Sequence, residues 1–296
     1  MRQDLDPEPA EASVPCATAE RAGAIELVVT DLDGTLWDGT GRIHPRTLGA
    51  LEALAVASIP VLAATGRSAR SAWSVMEGNR IALPGVFLDG AIGLEFGSTT
   101  AYYKCEFTPV LAAEMLEILD RLGVSPCISV EGPGHDIVLG EHPMIHPEYL
   151  RRLQPWVREE DPWTAVQTLN VLAFSLLAPD LATAHNLASE VTARLNVAAA
   201  VSPDRTYGGA HLSFRPLGVN KWTGVLAFCT HSGLDPDHVL AIGDADNDVE
   251  LLEGASVALA VSDATPSALQ RADQVLAPAS HGGWAELVEI VGLPSG

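Results

Sequence analysis

The segment LVVTDLDGT, at residues 27–35, joins an apolar run rich in β-branched residues directly to two aspartates and a glycine. Such a run is typical of a buried strand, and in parallel α/β sheets the carboxyl ends of the strands form the ligand-binding edge. Asp31 and Asp33 would point to opposite faces of a regular strand, but Gly34 allows a sharp turn that brings both acids to one cleft. The segment therefore predicts the first core strand and the centre of an active site. A surface turn rich in Asp and Gly is the alternative interpretation.

The composition limits the ligands that this 296-residue chain can bind. A formal net charge of −21 disfavours nucleic acid and anionic membranes, because both are bound through basic surfaces. Small anionic ligands remain possible if local positive charge or a divalent cation offsets the repulsion. The four cysteines form no CxxC pair, no apolar run is long enough to span a bilayer, and no signal-peptide pattern is present. We therefore expect a soluble, cytoplasmic monomer or homodimer.

The pattern of apolar residues divides the chain into four segments. Residues 1–23 are rich in Ala, Glu and Pro and are expected to be a disordered tail. Residues 24–93 alternate strands with helices, residues 94–214 mix hairpin-like segments with helices, and residues 215–296 resume the first pattern. The predicted fold class is α/β, with a doubly wound, Rossmann-like parallel-sheet core and an inserted α+β cap domain.

Polar residues occupy the ends of several predicted core elements. They are Asp31 with Asp33, Thr65 with Gly66, Lys221, and Asp244 with Asn247 and Asp248. Because right-handed crossovers place the carboxyl ends of parallel strands on one rim, we expect these residues to converge. Ser68 is predicted to cap the helix that follows Thr65 and Gly66.

The chemical types of these residues favour phosphoryl transfer with a bound cation. Asp31, Asp244 and Asp248 would concentrate negative charge, and a set of carboxylate oxygens favours Mg²⁺. With the cation bound, one carboxylate can attack phosphorus and form an aspartyl-phosphate, while a second acid exchanges protons with the leaving oxygen and with water. A hydroxyl, a backbone N–H and the Lys221 ammonium can stabilise the charge that spreads over the phosphoryl oxygens.

Four short segments occur in an order that resembles a known family. DLDGT, ATGR, GVNK and GDADND, at residues 31–35, 64–67, 218–221 and 243–248, resemble the four motifs of haloacid dehalogenase-like phosphohydrolases. The insertion lies between the second and third motifs, which resembles the class IIB, or Cof-type, subfamily and its α+β cap. The resemblance covers nearly everything from Ala24 onward.

The resemblance implies a role for each motif residue. Asp31 would be the nucleophile, and Asp33 would be the general acid/base and offer its main-chain carbonyl to Mg²⁺. Thr65 and Lys221 would hold the phosphoryl group, and Asp244 would be a side-chain metal ligand. The other expected site residues are Gly66 and Asn247 near the phosphate, and Asp248, which would support the metal through water or pair with Lys221.

These features predict a Mg²⁺-dependent phosphatase. Its substrates would be small phosphate monoesters, in particular sugar or polyol phosphates, hydrolysed through an aspartyl-phosphate intermediate under a cap that excludes bulk water. The first alternative is a phosphomutase of the phosphomannomutase type, which returns the phosphoryl group to the sugar. The second is a phosphate-sensing or scaffold protein without activity.

Two departures from the subfamily pattern leave substrate preference open. The chain has Asp89 before Gly-Ala where the subfamily usually has Asn, and an extra acid near the cleft could repel a phosphate or bind a sugar hydroxyl. Ser262 and Asp263 replace the usual Gly-Asn after a later strand.

The inserted domain carries histidines and acids that could form a second site. His135, His142 and His146 are close in sequence, but their spacing fits no single helical face, so solvated loop residues are favoured over a zinc site. Glu131, His135 and Asp136 could contact the leaving group of a substrate, although the glycines and proline between them equally indicate a turn.

Overall fold

The fold is described by a computed structural model that covers residues 25–132, 135–204 and 207–293. Within these residues the strands form an eight-stranded sheet and a five-stranded sheet. The predicted disordered tail, residues 1–23, lies outside the described residues.

The helices and strands follow one another as the sequence pattern predicted, with the insertion in the middle. The first part contains β1 (Leu27–Thr30), α1 (Pro45–Val56), β2 (Val61–Ala64), α2 (Ala69–Gly78), β3 (Gly85–Phe87), β4 (Ile92–Leu94) and β5 (Ala101–Lys104). The insertion contains α3 (Pro109–Arg121), β6 (Cys127–Val130), β7 (Ile137–Leu139), α4 (Pro147–Leu153), α5 (Pro162–Thr168), β8 (Val171–Ala178), α6 (Leu181–Thr192), β9 (Val197–Pro203) and β10 (Ala210–Pro216). The last part contains α7 (Lys221–Ser232), β11 (Val239–Gly243), α8 (Val249–Gly254), β12 (Val257–Val261), α9 (Pro266–Arg271), β13 (Gln274–Leu276) and α10 (Leu287–Ile290).

The eight-stranded core sheet has the order β13-β12-β11-β1-β2-β3-β4-β5. The pairs from β13 to β3 are parallel, and β4 and β5 continue the sheet in antiparallel pairs. Side chains of β1 alternate between two apolar clusters: Val28 packs in the cluster that contains residues of α1 and α2, whereas Leu27 and Val29 pack in the cluster with residues of α7, α8 and α9. Helices thus cover both faces of the sheet, and the predicted doubly wound α/β core is confirmed.

The five-stranded cap sheet has the order β7-β6-β8-β10-β9, with antiparallel pairs throughout. On β10, Ala210, Leu212 and Phe214 are buried in the cap's own apolar core with residues of α3, α5 and α6. Because successive side chains of a strand point to opposite faces, Ser213 and Arg215 project from the other face. They reach the core domain there, as described below.

The predicted start of the cap at residue 94 differs from the structure. Residues 98–107 lie within the predicted insertion of residues 94–214 as one of its hairpin-like segments, but their strand β5 pairs with β4 at the edge of the core sheet. A short antiparallel strand has the same local pattern in either domain, so the partner strand decides where it belongs. The other predicted domain boundaries remain predictions.

Candidate active site

The two acids that follow β1 lie at the carboxyl edge of the core sheet. Asp31 directly follows the strand, and its backbone N–H donates to the carbonyl of Ile242 on β11 at 2.9 Å. Gly34 has a φ of 87°, a left-handed conformation that glycine adopts without a steric penalty, and its N–H donates to the Trp37 carbonyl at 2.8 Å. The chain therefore turns sharply after Asp33, as the sequence indicated.

Asp31 is joined to Lys221 and Asp248 in a buried ion-pair network. The Lys221 ammonium donates to Oδ1 of Asp31 and to Oδ1 of Asp248, both at 2.6 Å. Lys221 is the first residue of α7, and the Asn220 side chain caps this helix by accepting from the Thr223 N–H at 2.9 Å. Burial disfavours the charged lysine, but the facing carboxylates of Asp248 and Asp31 raise its pKa above the ordinary value.

Three buried carboxylates form a cluster that fits a hard divalent cation. Oxygens of Asp31, Asp244 and Asp248 lie within 4.8 Å of one another. Burial and the charges of Asp248 and Asp244 raise the pKa of Asp31 well above its usual value, because Lys221 offsets the repulsion only in part. A bound cation would relieve this repulsion, and carboxylate oxygens suit Mg²⁺. The donor set is therefore compatible with the metal predicted from the sequence.

Asp248 is held by protein groups on both of its oxygens. Oδ2 accepts from the backbone N–H groups of Asp244 and Ala245, each at 3.0 Å, while Oδ1 accepts from Lys221. These bonds place Asp248 as the partner of Lys221, which is one of the two roles expected for it. Asp244 accepts from the Thr35 hydroxyl at 3.2 Å, a contact between the first and fourth motifs that sequence reasoning missed.

Asp33 is bound by an arginine that sequence reasoning did not assign to the site. Arg67 donates from Nε to Oδ2 at 2.5 Å and from Nη2 to Oδ1 at 2.6 Å, and Trp37 Nε1 donates to Oδ1 at 3.0 Å. Burial opposes ionisation, but the hydrogen bonds and charge of Arg67 hold the pKa of Asp33 below its usual value. The position of Arg67, immediately after Thr65 and Gly66 in ATGR, was the available signal.

Thr65 and Gly66 lie at the exit of β2, next to the β3 exit. Thr65 is buried, and its hydroxyl oxygen accepts from the Arg67 N–H at 3.2 Å, which leaves the hydroxyl proton available to a ligand. The following helix, α2, is capped by Ser68 through the Ser71 N–H, as predicted.

Asn247 and Asp89 are bonded to each other. Asn247 Nδ2 donates to Oδ1 of Asp89 at 2.8 Å, so the acid that replaces the subfamily's usual Asn lies beside an expected phosphate-site residue. Ser213 and Arg215 of β10 also contact this carboxylate, and neither was identified from the sequence. The signal was the polar alternation of β10, in which His211, Ser213 and Arg215 interrupt an apolar strand.

Three of the other polar groups weighed from the sequence have structural partners. His146 caps α4 by accepting from the Glu148 N–H at 3.2 Å. Glu131 accepts from Lys104 at 2.6 Å, and Asp136 accepts from Arg70 at 3.1 Å. Ser262 and Asp263, the second departure from the subfamily pattern, are exposed after β12. Among the described residues, the metal-compatible cluster is the one of Asp31, Asp244 and Asp248.

The sequence profile of the haloacid dehalogenase-like hydrolases matches residues 28–288, which includes both the core and the insertion. The chain belongs to this family. This hydrolase is 30% identical to a phosphoglycolate phosphatase of Methanopyrus kandleri over 258 residues, 84% of this chain and 90% of the relative. It is 26% identical to a phosphatase-like protein of Mycoplasma pneumoniae, described as a putative phosphatase, over 84% of this chain and 90% of that relative.

Solved structures support the fold of the hydrolase. A phosphatase of the same superfamily from Bacteroides thetaiotaomicron superposes with a TM-score of 0.72 at 16% identity, over 96% of this chain and 99% of that chain. A subclass IIB sugar phosphatase superposes with a TM-score of 0.72 at 22% identity, over 90% of this chain and 99% of that chain. The profile match confirms the predicted membership of the haloacid dehalogenase-like phosphohydrolases, and the hydrolase acts on phosphoric monoesters. Within the described residues, none of its helices combines the length and apolar character that a membrane span requires.

Proposed function

We propose that this hydrolase is a Mg²⁺-dependent phosphatase of small phosphate monoesters, in particular sugar or polyol phosphates, and that Asp31 forms an aspartyl-phosphate. The observation that carries the proposal is the environment of Asp31. Its carboxylate is buried, accepts from Lys221 at 2.6 Å, and lies beside the carboxylates of Asp244 and Asp248. Such a fixed carboxylate can attack phosphorus without first losing a water shell.

In the first step, an Asp31 oxygen bonds to phosphorus while the bond from phosphorus to the alcohol oxygen breaks. Lys221 holds the other Asp31 oxygen, and its positive charge stabilises the negative charge on the phosphoryl group. The Thr65 hydroxyl and the Gly66 N–H would donate to the phosphoryl oxygens. When bound, Mg²⁺ would supply further positive charge, held by Asp31, Asp244 and the main-chain carbonyl of Asp33.

Asp33 serves both proton transfers in this proposal. It gives a proton to the departing alcohol oxygen and later takes one from the water that attacks the aspartyl-phosphate. The pair with Arg67 favours the ionised carboxylate, which is the form required for activation of the water. The proton that Asp33 takes from this water is the one that it gives to the alcohol oxygen in the next turnover, so Asp33 starts and ends each cycle protonated. Arg67 thus acts as a positioning residue for Asp33.

The expected substrates are small because the cap lies against the core at the cleft. Arg70 of α2 pairs with Asp136 at 3.1 Å and lies 3.9 Å from the centre of the Trp156 ring, and both partners belong to the cap. A cleft covered in this way favours compact esters over phosphoproteins. The relative named as a phosphoglycolate phosphatase adds small phosphorylated acids to the esters worth testing.

The test compares wild type with Asp31→Asn on a panel of sugar phosphates, polyol phosphates and phosphoglycolate in the presence of Mg²⁺. We expect Asp31→Asn to lower kcat by a factor on the order of 10⁴ or more, because the nucleophile is removed. The matched control is Asp180→Asn, since Asp180 only caps α6 and asparagine caps equally well. Retention of a tenth or more of the activity in Asp31→Asn would contradict the nucleophile assignment.

Product analysis separates hydrolysis from the phosphomutase alternative. Release of free phosphate in proportion to substrate consumed supports the phosphatase. An isomerised sugar phosphate without free phosphate would contradict it and favour the mutase.

A further inference from the structure

Asp89 lies where three parts of the molecule meet. Its Oδ2 accepts from the Ser213 hydroxyl at 2.8 Å and lies 3.1 Å from Nη1 of Arg215, and both partners belong to the cap strand β10. Its Oδ1 accepts from the Asn247 amide at 2.8 Å, after β11 of the core. One carboxylate thus connects the carboxyl end of β3, the cap strand β10 and the fourth motif, GDADND.

The same carboxylate packs against the expected phosphate loop. A Cβ atom on Gly66 would lie 3.0 Å from Oδ1 of Asp89 and 3.2 Å from Oδ2. An uncompensated negative charge at this position would repel a phosphate group bound at the loop, since the Coulomb energy between charges is large at short range in a poorly solvated site. The chain must therefore neutralise Asp89 if phosphate is to bind beside it.

Arg215 supplies that compensation. The side chains of Arg215 and Asp89 are 5% and 3% exposed, so water screens their attraction little. Burial opposes ionisation of this carboxyl, but the charges of Arg215 and Lys221 hold the pKa of Asp89 below its usual value. The contacts of Asp89 are satisfied by protein groups, which makes it unsuited to binding a sugar hydroxyl directly.

The backbone around Asp89 is strained and anchored to the second motif. Leu88 and Asp89 have φ angles of 52° and 51°, a left-handed conformation that is unfavourable for residues with a Cβ atom. The Leu88 N–H donates to the Arg67 carbonyl at 2.9 Å, and the Asp89 N–H donates to the Thr65 carbonyl at 3.0 Å. The strained turn is therefore tied directly to the segment that contains Thr65 and Gly66.

We propose that Asp89 and Arg215 form a charge-neutral pair that positions Asn247 and the Thr65–Gly66 loop for phosphate binding, without contact to the substrate. The inference rests on the proposed function, because that function places the phosphate at the loop. It assigns Asp89 and Arg215 as positioning residues. It also explains how an acid is tolerated where the subfamily usually has a neutral amide.

The experiment measures competitive inhibition by inorganic phosphate, and KM and kcat with p-nitrophenyl phosphate and Mg²⁺. Arg215→Met leaves Asp89 unpaired, so we expect the inhibition constant for phosphate and the KM to rise about tenfold or more. Adding Asp89→Asn removes the charge but keeps a side-chain oxygen that can accept from the Asn247 amide. The double variant should return both constants to within about threefold of wild type, whereas a merely structural role would make it worse than either single variant.

Controls separate charge from loss of folding. Arg215→Lys keeps the charge and should stay within about threefold of wild type, while Arg194→Met removes an exposed arginine that pairs with Glu190 and should change neither constant. Circular dichroism and Tm are recorded for every variant. If Arg215→Met is unfolded, Arg215→Gln replaces it with the same expected values.

Two results would overturn this inference while leaving the proposed function intact. One is an unchanged inhibition constant for phosphate in a folded Arg215→Met or Arg215→Gln variant. The other is a double variant whose inhibition constant and KM are no closer to wild type than those of the arginine variant. In both cases wild type still hydrolyses the ester and Asp31→Asn is still inactive. Absence of hydrolysis by wild type would instead contradict the proposed function.

Discussion

Charged side chains are arranged differently at two places in the molecule. One is the core rim, formed by Asp31, Lys221 and Asp248 at the carboxyl edge of the core sheet, and the other is the boundary between core and cap. At the rim, Lys221 bonds two carboxylates, and all three side chains are at most 8% exposed. At the boundary, Arg70 and Asp136 are 31% and 23% exposed, and Lys104 and Glu131 are 37% and 34% exposed. Loss of a partner at the rim leaves a buried charge without solvent, whereas each boundary group can exchange its partner for water.

This difference separates the two tasks of the enzyme. In the proposed mechanism, the buried rim keeps the reacting groups in one geometry, which electrostatic stabilisation of a transition state requires. The half-exposed boundary contacts cost little to break, so the cap can open for substrate and product. The following changes test this division, beginning with the rim.

The largest expected loss of stability comes from Lys221→Met. Removal of the ammonium leaves Asp31 and Asp248 as buried, unpaired carboxylates, so the free energy of unfolding should fall by about 3–5 kcal/mol. The activity should also fall by on the order of 10²-fold or more, since a donor to the phosphoryl group is lost. Urea denaturation and phosphate release measure the two effects. A loss of stability below about 1 kcal/mol would show that the rim does not depend on this pair.

Asp244→Asn should weaken the binding of Mg²⁺. Because a ligand that binds the native state raises its stability, Mg²⁺ should raise the Tm of wild type. In the variant, the Mg²⁺ concentration that gives half of this rise should increase about tenfold or more. The matched control is Asp263→Asn, which changes an exposed acid after β12. Equal Mg²⁺ responses in Asp244→Asn and wild type would exclude Asp244 as a ligand.

Arg70→Met tests the boundary contact between α2 and the cap. The variant loses the ion pair with Asp136 and the stacking on Trp156. We expect a loss of stability of about 1 kcal/mol and a rise in KM of a few-fold with little change in kcat, because the cap closes less readily. Arg121→Met, which breaks an exposed pair with Glu117 within α3, is the control. A larger fall in kcat than in affinity would contradict a role limited to closure.

The smallest effect is expected for Lys104→Met. The hydrogen bond from Lys104 lowers the pKa of Glu131 below its ordinary value of 4.5. The stability that this pair contributes is therefore present above pH 4.5 and is lost as the pH falls through the lower, folded-state value. At pH 7 the variant should lose about 0.5 kcal/mol or less, and the difference should shrink as Glu131 is protonated in acid, and also in about 1 M NaCl. A difference that persists in acid and salt would point to packing instead.

Much of the fold follows from local patterns in the chain. The strand that ends at Thr30, the cap of α2 at Ser68 and the insertion of an α+β domain were predicted from residue types and periodicity. The proximity of Asp31, Asp244 and Lys221 was also predicted, because parallel strands joined by right-handed crossovers present their ends on one rim. The catalytic roles of these residues remain predictions.

The domain to which β5 belongs was predicted wrongly for a physical reason. Its two tyrosines favour a strand, but a strand-forming segment of four residues does not specify its neighbour. Pairing with β4 extends the core sheet, and that choice depends on the docking of the whole segment.

Residue type, order and periodicity were thus enough to specify the elements, their parallel arrangement and the motifs at their ends, because these depend on short stretches of chain and on chirality. The pairs of Asp33 with Arg67 and of Asp89 with Arg215 required the folded molecule. Arg215 lies 126 positions after Asp89. Contact between them depends on how β10 of the cap packs over the exit of β3, and long-range packing leaves no signal in local periodicity.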